Sequence, residues 1–332
     1  MTSQMFFSVL IMAHKRSEYL LEAVRSVINQ SLSRELYEVI VVKSFFDQKI
    51  EDMLNEYGVT IVNTDKEGLS DKIKIGIEKC VGNTICFLED DDSFTQEKLS
   101  TLQQFLAEDK NLDIIHNEQF FVLNGAPYLR ARNLKIKNAF TLNSRSGIPL
   151  KLVDSSLHFN LSSLAINRRV ANDLLNKMPG GFIHIADLFI FLLFYDTAGL
   201  RIYFTNKRLT YFRVHNSSHL FRGKFKDFTI FESNLSNREI QELTLVENIF
   251  KSDKTKTCIE CLKNRWKLRF HMYSTVPVMH SVKYDIFLKN AFCLKEDKSI
   301  LSVLEIGISM IDLFSVWLAS RLFFLLRKMR FS

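Results

Sequence analysis

The stretch TICFLEDDDSF, Thr84 to Phe94, decides how the chain folds. Thr84 to Leu88 is a short apolar run of the kind that fills a strand buried on both faces. It leads without a break into Glu89, Asp90, Asp91 and Asp92. Four adjacent carboxylates repel one another unless water or a cation relieves them. Alone, such a run reads as a solvated turn before a helix, here with Thr95 as cap and Gln96 to Ala107 as the helix. Behind a buried strand the reading changes, because open α/β sheets bind ligands beyond the carboxyl ends of their strands. The four acids are therefore the candidate site.

Upstream, apolar runs alternate with amphipathic segments. Phe6 to Met12 reads as a buried strand. Glu18 to Ile28 reads as a helix, with Leu21, Val24, Val27 and Ile28 at helical spacing, and Asn29-Gln30-Ser31 closes it. Glu38 to Val42 and Val59 to Val62 are the next strands, with a helix over Ile50 to Tyr57 between them. Ser70 reads as the cap of a helix running through Cys80 and ended by Gly82. This succession of β-α-β units predicts an α/β fold with a mostly parallel central sheet flanked by helices. Downstream the pattern is mixed. Asp113 to Leu123 and Ser163 to Asn167 read as strands and Ala171 to Asn176 as a short helix. A Gly180-Gly181 loop leads to Asp187 and an apolar helix to Tyr195. Arg201 to Phe204 and Leu209 to Val214 are two late strands, the second ending at His215. Residues 226 to 298 look helical and irregular, without a chemical motif.

With 4 prolines and 11 glycines in 332 residues, long disordered stretches are excluded. The formal charge of +7 fits an anionic partner. No helix-turn-helix, zinc-finger or aromatic RNA-binding signature accompanies it, so a nucleic-acid partner is not expected. Five cysteines, an odd number, do not suggest a disulfide framework. Cys258 and Cys261 form a lone CxxC and read as two thiols on one helical face rather than a metal site, in a reducing compartment. Met5 to Ala13 is apolar but short, with no preceding basic residue and no cleavage pattern, so it reads as a strand and not as a signal peptide.

Ser299 to Ser320 is long enough to span a bilayer. Its apolar residues each contribute about −0.3 to −0.6 kcal/mol, but Glu305 and Asp312 each cost about +2.5 to +3.5 kcal/mol near a helix centre. The two acids and Ser302, Ser309 and Ser315 fall on one polar stripe, and Arg321, Arg327, Lys328 and Arg330 follow. An in-plane amphipathic helix on a membrane surface fits best. Docking on protein is the alternative.

The order of these features resembles family 2 glycosyltransferases of the GT-A fold. The resemblance is carried by SVLIMAHKRSEYLLEAVRSVINQS (Ser8 to Ser31), YEVIVV (Tyr37 to Val42), GLSDKIKIGIEKCVGNTICFLEDDDSFTQEKL (Gly68 to Leu99) and MPGGFIHIADLFIFLLFYDTAGLRIYFTNKRLTYFRVH (Met178 to His215). It implies a GT-A domain over residues 1–225, beyond which the residues themselves read as a helical extension over 226–298 and a membrane-associating helix with a basic tail over 299–332. It further implies an inverting, metal-dependent transfer of a sugar from a nucleotide-diphosphate donor to a hydroxyl, on a glycan or lipid-linked acceptor, at the cytoplasmic face of the cell membrane. A homo-oligomer is left open.

The site residues follow from the same resemblance. Glu89 and Asp91 take the two DxD positions, Asp91 as ligand of Mg²⁺ or Mn²⁺, and Asp90 faces the ribose. His215, in YFRVH, matches a position that completes the metal or diphosphate site. Asp187 stands where the family carries its general base, although the usual Glu-Asp pair is Ala186-Asp187 here. Arg16, Lys43, Lys74 and Glu89 are assigned to the donor along with Asp90. The family's second strand usually ends in two aspartates followed by Gly-Ser, one of which reads the base. This chain has Lys43-Ser44-Phe45-Phe46-Asp47, which leaves Asp47 as a weak substitute. These departures favour the alternative reading, an inactive GT-A-like subunit for membrane-bound binding or assembly. A sugar nucleotidyltransferase is excluded by the lack of a Gly-rich, basic loop after the first strand.

Overall fold

The structure, a computed structural model, describes residues 6–14, 17–123, 126–127, 136–144, 153, 157–214, 225–273, 288, 307 and 320–322. The chain divides into two compact units, Met1–Ser146 with His158–Arg213, and Gly147–Leu157 with Val214–Ser332.

The first unit is built on one mixed sheet. Its strands are β1 (Phe7–Ala13), β2 (Tyr37–Lys43), β3 (Thr60–Asn63), β4 (Thr84–Glu89), β5 (Ser93–Phe94), β6 (Ile114–Leu123), β7 (Ala126–Pro127), β8 (Phe140–Asn143), β9 (Leu164–Asn167) and β10 (Arg201–Val214). The order is β3-β2-β1-β4-β9-β6-β10-β5, with β7 on β6 and β8 on β10. The β3-β2-β1-β4 block is parallel, and β9 joins β4 antiparallel. The helices are α1 (Ser17–Ile28), α2 (Gln48–Glu56), α3 (Leu69–Lys79), α4 (Lys98–Glu108), α5 (Arg168–Lys177) and α6 (Ala186–Asp196).

Because side chains alternate along a strand, β1 feeds both faces. Phe7, Val9, Ile11 and Ala13 enter a core with Leu20, Ala23, Val24 and Val27 of α1 and Val39 and Val41 of β2. Leu10 meets α3 instead, where a Cβ on Gly76 would lie 2.2 Å from Leu10 Cδ1. Burial on both faces is why these strands read as unbroken apolar runs. The predicted α/β class and sheet are what the structure has.

Several local expectations are corrected. Ser70 is not the cap of α3, since Gly68 holds that position. The Ser70 hydroxyl instead accepts from Phe182 N at 2.9 Å, tying the helix start to a distant loop. The helix expected from Gln96 begins at Lys98 with Glu97 as N-cap, because Ser93 and Phe94 pair with Tyr211 and Thr210. Thr95 N is held there by Leu209 O at 3.0 Å. The two late strands are one, β10, which carries β8 along its first half and β5 along its second.

In the second unit, α7 (Phe225–Val246) packs on α8 (Asp253–Tyr273), with Phe228 edge-on to Tyr273 at 5.3 Å. Cys258 is a buried free thiol, pushed up to about 12 by burial, whereas Cys261 is disulfide-bonded. The expected pair of free thiols is therefore not present. No helix among the described residues is long and apolar enough to cross a membrane. The helix read over Ser299 to Ser320 lies outside the described residues except at Gly307 and Ser320.

Candidate active site at the carboxyl edge of the sheet

From β1 the chain steps outward to β2 and β3, then returns to place β4 on the other side of β1. The winding reverses between β1 and β4, and the crevice beyond such a point is where doubly wound sheets bind ligands. Met12 and Glu89 are in register, so the residues that follow emerge side by side. His14 N donates to Asp90 Oδ2 at 2.6 Å across this opening.

The acids fold into a tight turn closed by Asp92 N on Glu89 O at 3.2 Å. Asp90 and Asp92 point inward and are buried, while Glu89 and Asp91 are half-buried. Asp92 accepts from Asn160 Nδ2 at 3.2 Å and from Arg213 N at 3.0 Å. Arg213 also donates from Nε to Asp91 O at 2.9 Å, pairs with Glu22 at 2.5 Å and lies over the Tyr19 ring. Ser162 Oγ accepts from Glu89 N at 3.0 Å. Beneath the turn, the fully buried Lys98 donates to Ser162 O at 2.6 Å and Thr210 Oγ1 at 3.0 Å, with Nζ 3.8 Å from the Phe94 ring centroid.

This crowding shows in the proton affinities. Burial raises Glu89 well above the usual carboxylate range, and the charges of Asp91, Asp92, Asp187 and Asp90 add to it. Burial and Asp91 push Asp92 up to about 7, against hydrogen bonds from Ser162, Arg213 and Asn160. Burial brings Lys98 down to about 7, opposed by Cys86 and Asp92.

Asp187 is the second residue of α6. Its Oδ2 accepts from Asn160 N at 3.2 Å and its Oδ1 from Leu188 N at 2.7 Å. The loop before it is pinned to α3. Gly181, at φ +88°, donates from N to Asp71 Oδ2 at 2.8 Å, and a Cβ on Gly180 would stand 2.5 Å from Asp71 Oδ1. The structure thus brings Glu89, Asp90, Asp91 and Asp187 together.

The basic residues are placed differently. Lys43 is fully buried and bonds Glu51 at 2.5 Å and Phe45 O at 2.7 Å. Lys74 reaches Met178 O at 3.2 Å. Asp47 caps α2 by accepting from Lys49 N and Ile50 N. Arg16 and His215 lie outside the described residues. Reading the sequence missed Asn160, Ser162 and Lys98, which sit in no motif, and Arg213, whose YFRVH segment was read for its histidine.

Glu89 and Asp91 suit a hard divalent cation. Mg²⁺ in particular is commonly held by one or two carboxylates, with water and phosphate oxygens completing its shell. Among the described residues no three His, Cys, Asp or Glu side chains form a ready coordination shell.

The family described as glycosyl transferase family 2 matches residues 8–175. An uncharacterized glycosyltransferase of Rickettsia bellii (strain RML369-C) is 27% identical over 130 residues, 38% of this chain and 18% of that protein. The minor teichoic acid biosynthesis protein GgaB of Bacillus subtilis (strain 168) is 31% identical over 122 residues, 35% of this chain and 14% of that protein. The match therefore spans less than a fifth of either relative's length. Among solved structures, S. aureus TarS 1-349 in complex with UDP-GlcNAc superposes with TM-score 0.57 at 16% identity, covering 86% of this chain and 81% of that one. That likeness is one of fold.

Proposed function

The chain belongs to glycosyl transferase family 2, and from that premise we propose that it moves a sugar from a nucleotide-diphosphate donor to a hydroxyl acceptor with inversion. The convergence of Glu89, Asp90, Asp91 and Asp187 at the sheet's switch point carries the reading. In the reaction the bond from the anomeric carbon to the diphosphate breaks, and its electron pair leaves with the diphosphate. The acceptor oxygen bonds to the opposite face of that carbon, and Asp187 takes the hydroxyl proton. When bound, Mg²⁺ or Mn²⁺ offsets the charge building on the diphosphate. Asp91, with His215, would hold it, and Glu89 beside them faces the donor.

Asp90 is assigned to the ribose, and Arg16 and Lys74 to the donor. Lys43 joins them only by releasing Glu51. The UDP-GlcNAc carried by TarS supports a sugar nucleotide as donor. The name of GgaB supports a polymer or lipid-linked acceptor. We assign residues 1–225 to catalysis, 226–298 to a helical extension, and 299–332 to a contact with the inner face of the cell membrane.

The second reading, a non-catalytic subunit, is favoured by Lys43 being bound to Glu51 where the family reads the base. Turnover decides between them. A panel of nucleotide-sugars with Mn²⁺ should release nucleoside diphosphate from one donor, and excess EDTA or Asp91→Ala should abolish the release. Donor binding without turnover in every case would leave the subunit reading standing.

A further inference from the structure

Asn160 lies before the 3-10 turn Leu161–Ser163, is 2% exposed, and has φ +87° and ψ 110°. Positive φ is uncommon outside glycine, and the ψ here lies beyond the small left-handed region where Asn is tolerated. Such conformations persist only where surrounding bonds hold them, and they gather at functional sites. Four bonds hold this one; Ser163 N donates to the Asn160 carbonyl at 3.0 Å within the turn, and two of the others reach separate parts of the site. The backbone N–H donates to Asp187 Oδ2 at 3.2 Å. The side-chain Nδ2 donates to Asp92 Oδ2 at 3.2 Å. The side-chain Oδ1 accepts from Ser162 N at 2.9 Å, and Ser162 in turn receives Glu89 N.

Those bonds run from the start of α6 to the acid turn after β4, elements far apart in the chain that share no strand pairing. We infer that Asn160 is a positioning residue that fixes the carboxylate of Asp187 at a set distance and angle from the acid turn. This rests on Asp187 being the base. A base must stand within hydrogen-bond reach of the proton it removes, and the acid turn sets where the leaving group sits. One residue bonded to both sides relates proton removal to departure of the diphosphate. The side chain anchors Asn160 to the turn, and the unusual φ aims its N–H at Asp187. An aspartate here would set an acceptor against Asp92. A serine would be too short to make both side-chain bonds.

The test compares Asn160→Gly, Asn160→Ser, Asp187→Asn and the Asn160→Gly/Asp187→Asn double variant in the full chain. Glycine accepts the backbone angle and keeps the N–H but removes both side-chain bonds. Misplacement by about 1 Å can cost on the order of 10²-fold in rate. Asn160→Gly should therefore lower kcat by tens- to a hundredfold, with donor KM within threefold and the melting temperature within a few degrees. Asn160→Ser, which keeps the backbone N–H and adds no charge beside Asp92, should lose kcat likewise, so the question stays answerable if the glycine variant misfolds. In the Asp187→Asn background, Asn160→Gly should cost little more, because both changes remove one action. Near-normal kcat in the Asn160 variants beside an inactive Asp187→Asn overturns this inference alone, as does a fully additive double variant. Normal turnover in Asp187→Asn overturns the base reading, and this inference with it.

Discussion

The strands β2 and β4 flank β1 on either side and run parallel to it, so their carboxyl ends open onto the same edge of the sheet. They treat charge in opposite ways. At the end of β2, Lys43 is buried against Glu51, Asp47 caps α2, and Phe46 stands 72% exposed. Each charge there has a structural partner close by. At the end of β4 the acids crowd one another, and two fully buried lysines stand nearby: Lys98, held by the oxygens of Ser162 and Thr210, and Lys72, 3.0 Å from His14 Nδ1. Partnered charges stabilise a fold, whereas crowded like charges raise proton affinities and attract a cation. One edge thus carries a settled end, where opposite charges pair, and an unsettled one, where like charges crowd, and the chemistry is expected at the second.

The largest effect should come from Asp187, which faces the unsettled end. Losing a general base typically costs about 10²- to 10⁴-fold in rate, whereas losing an acid from a helix start costs about 0.3–1 kcal/mol. Asp187→Asn keeps the size and one of the two accepted hydrogen bonds, since its amide nitrogen cannot accept. Transfer should collapse while donor binding, cation binding and melting temperature stay nearly unchanged. Melting curves beside steady-state rates separate the outcomes, and near-normal turnover would rule out Asp187 as the base.

How much of this contrast the sequence shows depends on how local its causes are. The parallel block is legible because β1, β2 and β4 are buried on both faces and so are continuously apolar. The acid turn is legible because it follows such a strand directly. The two-residue β5 is not, since Ser93 and Phe94 become a strand only through β10, more than a hundred residues later. For the same reason Thr95 and Ser70 looked like helix caps until their partners, Leu209 and Phe182, were known. Asn160 is hidden most deeply. Its local bond from Ser162 N is an ordinary cap, but its bonds to Asp187 and Asp92 are consequences of tertiary structure. Lys98 resembles any helix-start lysine until its burial is seen.

Lys98 gives a second way to sharpen the contrast, of intermediate size. Its folded pKa of about 7 lies below the model-compound value of 10.5. Below pH 7 both folded and unfolded states hold the proton, so stability does not change with pH on its account. Between pH 7 and 10.5 the folded state has released a proton that the unfolded state keeps, so stability rises with pH, by about 1.4 kcal/mol per unit at most. Lys98→Met removes that dependence. Melted in EDTA from pH 6 to 10, wild type should gain on Lys98→Met steadily above pH 7. A constant gap would mean that Lys98 keeps its proton and is as well partnered as Lys43, and the contrast between the two ends would lose its electrostatic basis.

The smallest effect, and the most direct test of the settled end, belongs to Asp47. This is the acid that the sequence offers as a weak substitute for the one with which the family reads the donor's base. Its Oδ1 accepts from Lys49 N at 3.0 Å and Ile50 N at 3.2 Å, which satisfies two of the amides that a helix start leaves open. Replacing an aspartate cap with alanine costs typically about 1 kcal/mol, while asparagine caps about as well. Asp47→Ala should therefore lower the melting temperature by about 2–4 °C and leave the order of preference among nucleotide donors unchanged. Asp47→Asn should change neither. A cap and a base reader differ on this second variant, because asparagine keeps the cap but brings an amide donor where the base would meet a carboxylate. If Asp47→Asn melts like wild type yet reorders the donors, Asp47 reads the base, and the end of β2 takes part in the chemistry after all.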